Sequence, residues 1–278
     1  MAGTMDSTNG ALPIGIIGAG SIGRYVADAV LDGDVKGAVL TAVADTCPPP
    51  KDFLERLESR SVPFVDHFEQ LTRFPVKLVV ECANQQAARQ CSGYFISRGI
   101  DLVIMSVGAL VDGDFFSELS SAAREKHCRI YVPSGAIGAI DAIRAANVHG
   151  LEEVVLTTRK PPGSLGSVEG FDLENLTEPT VVYRGKATEA VKKFPKNVNV
   201  AASLSLAGLG PEKTTVCVVA DPGIDRNIHE IKVKGAFGVF KIRLANNPSP
   251  QNPKTSYLAC MSVVSLLKKI LSPVQIGG

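Results

Sequence analysis

One short stretch near the N-terminus limits the fold of this chain more than any other. Residues 14–24 read IGIIGAGSIGR, an apolar run broken by glycines, and apolar side chains then recur at helical spacing. Strand, glycine turn and helix form the context in which GxGxxG binds a dinucleotide. There Gly18 permits a tight turn, Gly20 lets a pyrophosphate approach the backbone, and Gly23 lets helix and strand pack closely. The predicted cofactor contacts in this stretch are Gly18, Gly20, Ser21, Ile22 and Gly23.

An acid at the end of the next strand strengthens this interpretation. Residues 38–44 read AVLTAVA, and Asp45 follows them, 22 residues after Gly23. A carboxylate at this place can accept a hydrogen bond from the adenosine ribose and would repel a 2′-phosphate. The sequence therefore predicts NAD as the cofactor, with NADP kept as a second candidate. The alternative is an ordinary turn or helix-capping aspartate, because a polar residue, a cysteine and three prolines follow.

Composition argues against several other classes of protein. There are 29 basic and 28 acidic residues without a basic block, so neither nucleic acid nor a membrane surface is an expected partner. No apolar run approaches the roughly 18 residues of a membrane helix. Residues 1–11 lack the apolar core of a signal peptide and are predicted to be a disordered lead. The six scattered cysteines form no CxxC pair, so we expect no metal site and a reducing, cytoplasmic location.

Strands alternate with helices as far as residue 135. Predicted strands at 78–83, 102–106 and 129–133 complete a parallel sheet, and ligands bind beyond the carboxyl ends of such strands. Small residues at those ends, Ala83 among them, would let a flat nicotinamide ring lie against the backbone. Turn chemistry alone would explain the same residues.

The pattern changes after Gly135. A helix is predicted at 136–146, and two later strands, 229–234 and 240–244, alternate apolar and charged residues as in an antiparallel sheet with one buried face. The fold class is thus α/β: a Rossmann dinucleotide-binding domain at 12–135, and a second α/β domain with a mostly antiparallel sheet at 136–254. The C-terminal helix within 255–278 is expected to pack back on the first domain.

Motifs along the chain resemble those of the L-aspartate dehydrogenase family. Besides the glycine turn they lie, in family order, at 133–138 (PSGAIG), 158–162 (TRKPP), 197–202 (NVNVAA), 221–223 (DPG), 227–229 (NIH), 247–249 (NPS) and 253–255 (PKT). The resemblance implies a catalytic second domain and, commonly, a homodimer. It also implies NAD(P)-dependent oxidative deamination of L-aspartate to oxaloacetate through iminoaspartate, in some relatives as part of NAD biosynthesis.

The resemblance further implies roles for single residues. His229 matches the catalytic histidine of the family, and Ala136 and Asn199 match positions that contact the cofactor. From periodicity alone, His229 would be a half-buried core histidine, because it shares a strand face with Ile231 and Val233. A group that titrates near neutral pH suits the hydration of an imine, so we expect His229 to act as general acid and base. Asn199 precedes an apolar helix and is also a candidate N-cap.

A dicarboxylate such as aspartate or oxaloacetate needs cationic or N–H partners for two carboxylates. Lys160 is the first candidate because it follows a strand and precedes two prolines that restrict its backbone. Lys254 and Thr255 are the second, and Asn199 is also assigned to the substrate. Each lysine could instead be a solvated surface residue.

Two other functions remain open at this point. The chain could be a dehydrogenase or imine reductase for another small amino acid, such as homoserine. It could also be a sensor that binds NAD without turnover. A panel of substrates, tested for NADH formation, separates these alternatives.

Overall fold

The computed structural model describes residues 10–194 and 199–277, except for the side chains of residues 253 and 254. Most of the predicted disordered lead at 1–11 lies outside the described residues. The chain divides into two compact units. The first holds residues up to Ser106, Asp114–Pro133 and Val263–Gln275, and the second holds Val107–Gly113, Ser134–Ser262 and the residues from Ile276 onward. In the described part of the chain, no helix has both the length and the apolarity that crossing a membrane requires.

The first unit is built on six parallel strands. They are β1 (Leu12–Ile17), β2 (Ala38–Ala44), β3 (Phe64–Val65), β4 (Leu78–Glu81), β5 (Asp101–Ile104) and β6 (Ile130–Tyr131). Their order in the sheet is β3-β2-β1-β4-β5-β6, so the strand order reverses between β1 and β4. Among the described residues, this unit holds the helices α1 (Ser21–Leu31), α2 (Lys51–Ser59), α3 (Gln85–Ile96) and nearly all of α4 (Gly113–Glu125). Residues 263–271 of the C-terminal helix belong to it as well.

Burial explains why these apolar runs form the centre of the sheet. Ile14, Ile16, Val79 and Val80 are all completely buried. Strands covered on both faces read as continuous apolar runs, as β1 and β4 do. The structure confirms the predicted Rossmann-like domain, and the reversal between β1 and β4 is the place where such sheets bind ligands.

The second unit carries a five-stranded sheet and three helices of its own. The strands are β7 (Leu151–Lys160), β8 (Thr180–Lys186), β9 (Thr215–Ala220), β10 (Asn227–Gly235) and β11 (Gly238–Asn246). The helices are α5 (Ile140–Ala146), α6 (Ala187–Lys193) and α7 (Asn199–Ala207). A hairpin of β12 (Pro248–Ser249) and β13 (Asn252–Ser256) leads into α8 (Tyr257–Leu271). Short 3₁₀ helices lie at Phe68–Arg73, Val107–Val111, Asn147–His149 and Pro162–Ser164.

The sheet of the second unit, which was predicted to be mostly antiparallel, is mixed. Its order is β11-β10-β7-β9-β8. The pairs of β10 with β11, β10 with β7 and β8 with β9 are antiparallel, whereas β7 and β9 run parallel. Along β7, buried residues alternate with half-buried or exposed ones, so one face points to the core, and that face ends in Thr158 and Lys160.

Two predicted helix boundaries were wrong. The helix expected at 136–146 begins only at Ile140, because Gly135 and Ala139 have left-handed φ angles of 65° and 60°. A right-handed helix cannot include such residues. Thr255 does not begin the C-terminal helix either, since it belongs to β13, which pairs with β12, and α8 begins at Tyr257.

Candidate functional site

The glycine turn between β1 and α1 has the geometry that a dinucleotide requires. Gly18 has a φ of 94°, and a Cβ there would lie 2.8 Å from the backbone nitrogen of Ala83. A Cβ on Gly23 would collide with the carbonyl oxygen of Gly18. At Gly20, in contrast, a Cβ would meet nothing within 4 Å, so the space beside the start of α1 is open. The first turn of α1, which Ser21 and Ile22 begin, contains no acidic residue, so its N–H groups can receive phosphates.

Asp45 lies at the edge of a cleft of about 660 Å³ in the first unit. Its Oδ2 accepts a hydrogen bond of 2.6 Å from the backbone N–H of Ala19, and its Oδ1 accepts one of 3.0 Å from that of Cys47. The carboxylate thus links the end of β2 to the glycine turn. Ala83 lines the same cleft, as do two further acids, Asp66 and Glu69.

Glu81, the last residue of β4, is a completely buried carboxylate that sequence reasoning did not assign to the site. Its Oε1 accepts hydrogen bonds of 2.8 Å from the N–H of Ala83 and the hydroxyl of Ser106, and its Oε2 accepts one of 3.0 Å from the N–H of Ser106. Burial raises the pKa of Glu81, and these hydrogen bonds oppose that rise. The carboxylate therefore ties the ends of β4 and β5 to the turn against which Gly18 packs.

These features together fit a bound dinucleotide. The open space at Gly20 and the unopposed dipole of α1 suit a pyrophosphate, and Asp45 suits an adenosine ribose. The residues that would hold the cofactor in this unit are Gly18, Gly20, Ser21, Ile22, Gly23, Asp45 and Ala83.

In the second unit, His229 lies on the buried face of β10. Only 2% of its surface is exposed. It stands directly opposite Thr158 of β7, and its Nδ1 lies 3.1 Å from the Thr158 hydroxyl. Burial, and secondarily the charge of Lys160, lowers the pKa of His229 to about 3. The His229 imidazole is therefore neutral at neutral pH.

Lys160 is the last residue of β7, two positions beyond Thr158 and on the same face. It is 6% exposed, and burial lowers the pKa of its ammonium group to about 8. Behind it, the N–H of Asp221 donates to the carbonyl of Lys160 at 2.9 Å, and the Asp221 carboxylate lies 3.6 Å from Arg159. These contacts hold the strand end that carries Lys160.

Lys160 lines a cavity of about 510 Å³. Thr255 lines it as well, so the structure brings together two of the predicted substrate residues. Polar side chains dominate the rest of the wall: Lys193, Arg226, Asp225, Asn227, Asn246 and Asn252. Arg226 is paired with Asp225 at 2.7 and 2.9 Å and with Asn247 at 2.8 Å, so its charge is largely compensated. Of the described residues that line the cavity, Lys160 is the buried cation.

Asn246 connects the cavity to another predicted position. Its amide donates a hydrogen bond of 2.8 Å to the carbonyl oxygen of Ala136, which is 6% exposed. His229 does not line the cavity, but Asn227, two residues earlier on the same face, does. The geometry therefore gathers Ala136, Lys160, His229 and Thr255 at one end of the sheet.

Asn199 and Lys254 are the two remaining predicted residues of the second unit. Asn199 is the first residue of α7, and its Oδ1 accepts a hydrogen bond of 3.2 Å from the N–H of Gly108. It thus fastens α7 to the 3₁₀ helix at Val107–Val111. The side chain of Lys254 lies outside the described residues, and so does part of the 197–202 motif.

Sequence reasoning missed three further members of the site, Thr158, Asn227 and Asn246. One signal could have found Thr158: a strand antiparallel to β10 must place some residue opposite His229. Its identity follows only from the register of two strands far apart in sequence.

Comparison with known proteins agrees with this geometry. Residues 141–270 match the family described as aspartate dehydrogenase, C-terminal, and residues 18–133 match the homoserine dehydrogenase NAD binding domain. The L-aspartate dehydrogenase of Methanosarcina acetivorans is 46% identical over 271 residues, which cover 96% of this chain and 99% of the relative. That of Ralstonia nicotianae is 41% identical over 265 residues, which cover 92% of this chain and 96% of the relative.

Solved structures extend the similarity to the fold. The crystal structure of aspartate dehydrogenase from Thermotoga maritima superposes with a TM-score of 0.76 at 28% identity, covering 96% of this chain and 99% of that one. An amine dehydrogenase from Mycobacterium smegmatis gives 0.57 at 14% identity, covering 95% of this chain and 94% of that one, and shares the fold alone.

Proposed function

Because the chain belongs to the L-aspartate dehydrogenase family, we propose that it oxidises L-aspartate to oxaloacetate and ammonia with a pyridine nucleotide. The observation that carries this proposal is the arrangement at one end of the second sheet. His229 and Lys160 share a buried face there, and Lys160 lines a polar cavity large enough for a four-carbon dicarboxylate. A buried cation in that wall suits a substrate with two carboxylates.

A nicotinamide ring, held with Gly18, Gly20 and Asp45 on its dinucleotide, would supply the acceptor for the hydride that leaves Cα of aspartate. The nitrogen loses a proton, and the Cα–N bond becomes the C=N bond of iminoaspartate. Water then adds to that bond, the C–N bond breaks, and nitrogen leaves as ammonium. Aspartate, NAD⁺ and water thus give oxaloacetate, ammonium, NADH and one proton.

Lys160 would hold one substrate carboxylate, with Thr255, Lys254 and the Asn199 amide as candidates for further contacts. Placing a carboxylate beside Lys160 also changes the surroundings of His229. Burial is the main cause that lowers the pKa of His229, and the charge of Lys160 is the second. A substrate carboxylate would offset this second cause and would favour the protonated imidazole. A histidine that is neutral before binding and more basic afterwards can take a proton from water and later return it to the departing nitrogen.

The cofactor is proposed to be NAD rather than NADP. Asp45 is the main support, and Asp66 and Glu69 in the same cleft add negative charge where a 2′-phosphate would be repelled. Ala136 and Asn199 are proposed to contact the nicotinamide half. We further propose a cytoplasmic homodimer and a supply of iminoaspartate for NAD biosynthesis, as the family resemblance implies.

Homoserine is the second candidate substrate, because residues 18–133 match the homoserine dehydrogenase NAD binding domain. The test is a panel of L-aspartate, homoserine, glutamate and alanine with NAD and NADP, and oxaloacetate plus ammonia in reverse. The proposal expects NADH formation with aspartate far above the others. Turnover of homoserine alone would replace the substrate. NAD binding without turnover of any compound in either direction would indicate a sensor.

A further inference from the structure

We propose that Thr158 is a positioning residue that holds the His229 ring through Nδ1 and leaves Nε2 to serve the ligand. The inference rests on the proposed role of His229, and it adds to that role a residue on a different strand. It starts from the backbone, because the pairing of β7 and β10 places Thr158 directly opposite His229. Opposite residues of an antiparallel pair point to the same face, with Cβ atoms about 4.5–5.5 Å apart.

The two side chains are close enough to form a hydrogen bond. The hydroxyl of Thr158 lies 3.1 Å from Nδ1, and the two residues are 4% and 2% exposed. Water therefore has little access to replace the hydroxyl. Threonine is branched at Cβ and restricted at χ1, so the strand itself orients the hydroxyl. With Nδ1 engaged, a ligand can reach the imidazole only through Nε2.

The chemistry of a hydroxyl suits a histidine whose protonation changes during turnover. A hydroxyl can donate to a bare Nδ1 and accept from an Nδ1–H, so it stays bonded to either form. It brings no charge. A carboxylate in the same place would favour the imidazolium, as it does in serine proteases. Thr158 thus fixes the ring without making it a cation before the substrate arrives.

The chain offers a matched control on the same strand. Thr157 precedes Thr158, points to the opposite face and is only half-buried. Thr158→Val and Thr157→Val each remove one hydroxyl and preserve side-chain shape. We expect Thr158→Val to lower kcat by about 10–100-fold, the effect of a small misplacement of a reacting group. KM for aspartate and the affinity for NAD should change little, Thr157→Val should behave as wild type, and Thr158→Ser should recover most of kcat.

A second readout does not depend on activity. The chain has four histidines, so ¹⁵N-labelled imidazoles give few signals, and His229→Asn identifies those of His229. In the wild type, the Nδ1 resonance of His229 should have the chemical shift of a nitrogen that is hydrogen-bonded to the Thr158 hydroxyl. Thr158→Val removes that hydrogen bond and should shift the His229 resonances, whereas Thr157→Val should leave them in place.

Unchanged His229 resonances in folded Thr158→Val would overturn the inference. So would shifted resonances with wild-type kcat, provided that His229→Ala is inactive. If Thr158→Val does not fold, Thr158→Ala and Thr158→Ser make the same comparison, and equal kcat and equal resonances in the two would refute it. If His229→Ala keeps full activity, the proposed role of His229 fails instead, and the resonances still show whether Thr158 holds the ring.

Discussion

Replacing Lys160 by methionine should stabilise the protein while it weakens substrate binding. Lys160 is 6% exposed and carries an ammonium group whose pKa burial lowers from 10.5 to about 8. Holding such a charge out of water costs free energy, because the unfolded chain solvates it fully. Methionine fills a similar volume without charge. Functional sites commonly reduce stability in this way.

The magnitude follows from the shift. At 1.36 kcal/mol per pKa unit, the change from 10.5 to about 8 corresponds to about 3 kcal/mol at neutral pH. The folded pKa is the lower one, so the folded state binds fewer protons than the unfolded state between pH 8 and pH 10.5. Wild-type stability therefore rises with pH across that window, and the advantage of Lys160→Met, complete below it, disappears towards its upper end.

Urea unfolding of the whole protein, followed at several pH values, measures this difference. Lys241→Met is the control, because Lys241 is exposed on β11 and its loss should change stability by less than about 0.5 kcal/mol. The same Lys160→Met protein should show a raised KM for aspartate and unchanged NAD affinity. A variant equally stable or less stable than wild type at neutral pH would refute the argument that the buried charge opposes folding.

Three further outcomes are expected. Asp45→Ser should narrow the preference for NAD over NADP by about 1–2 kcal/mol, measured as the ratio of kcat/KM values, and a wild type that prefers NADP would contradict this. Glu81→Gln should lower stability by about 1–3 kcal/mol, because the new amide N–H₂ would face backbone N–H donors. It should also weaken NAD binding measured by calorimetry, and an unchanged affinity would show that Glu81 does not support the cofactor site. Wild type should lose stability relative to His229→Asn as pH falls from 6.5 towards about 3, because in this range the imidazole is neutral in the folded state and protonated in the unfolded state. Parallel curves of stability against pH for the two proteins would contradict the lowered pKa of His229.

The first unit could be predicted from sequence because its signals are local. The glycine turn, its flanking strands β1 and β2, and Asp45 all lie within residues 12–45, so the spacing of the glycines predicts the turn. The packing of Gly18 against Ala83, in contrast, depends on the neighbouring strand. The contacts of Glu81 could not be predicted in this way, since Ser106 lies 25 residues further on. The sequence of an apolar strand that ends in an acid does not identify the hydrogen-bond donors that its carboxylate will contact.

The second unit could be predicted only in outline. Lys160 and Thr255 were found separately, each from its own surroundings, but their shared cavity depends on the path of the whole chain. Thr158 was missed because its partner His229 is 71 residues away and the register of two strands decides the contact. The helix start at Ile140 depended on the left-handed backbone of Ala139, which a residue other than glycine seldom adopts.

We propose that this chain oxidises L-aspartate and that His229 carries the proton transfers. The rate of NADH formation from L-aspartate and NAD tests both statements, with oxaloacetate and ammonia measured as products, in wild type and in folded His229→Ala and His229→Asn proteins that still bind NAD. We expect aspartate-dependent turnover in wild type and a kcat lower by about 10²–10⁴-fold in both variants, the usual contribution of a general acid–base group. Near-wild-type kcat in a well-folded His229→Ala protein, or no turnover of aspartate by wild type in either direction, would contradict the proposal.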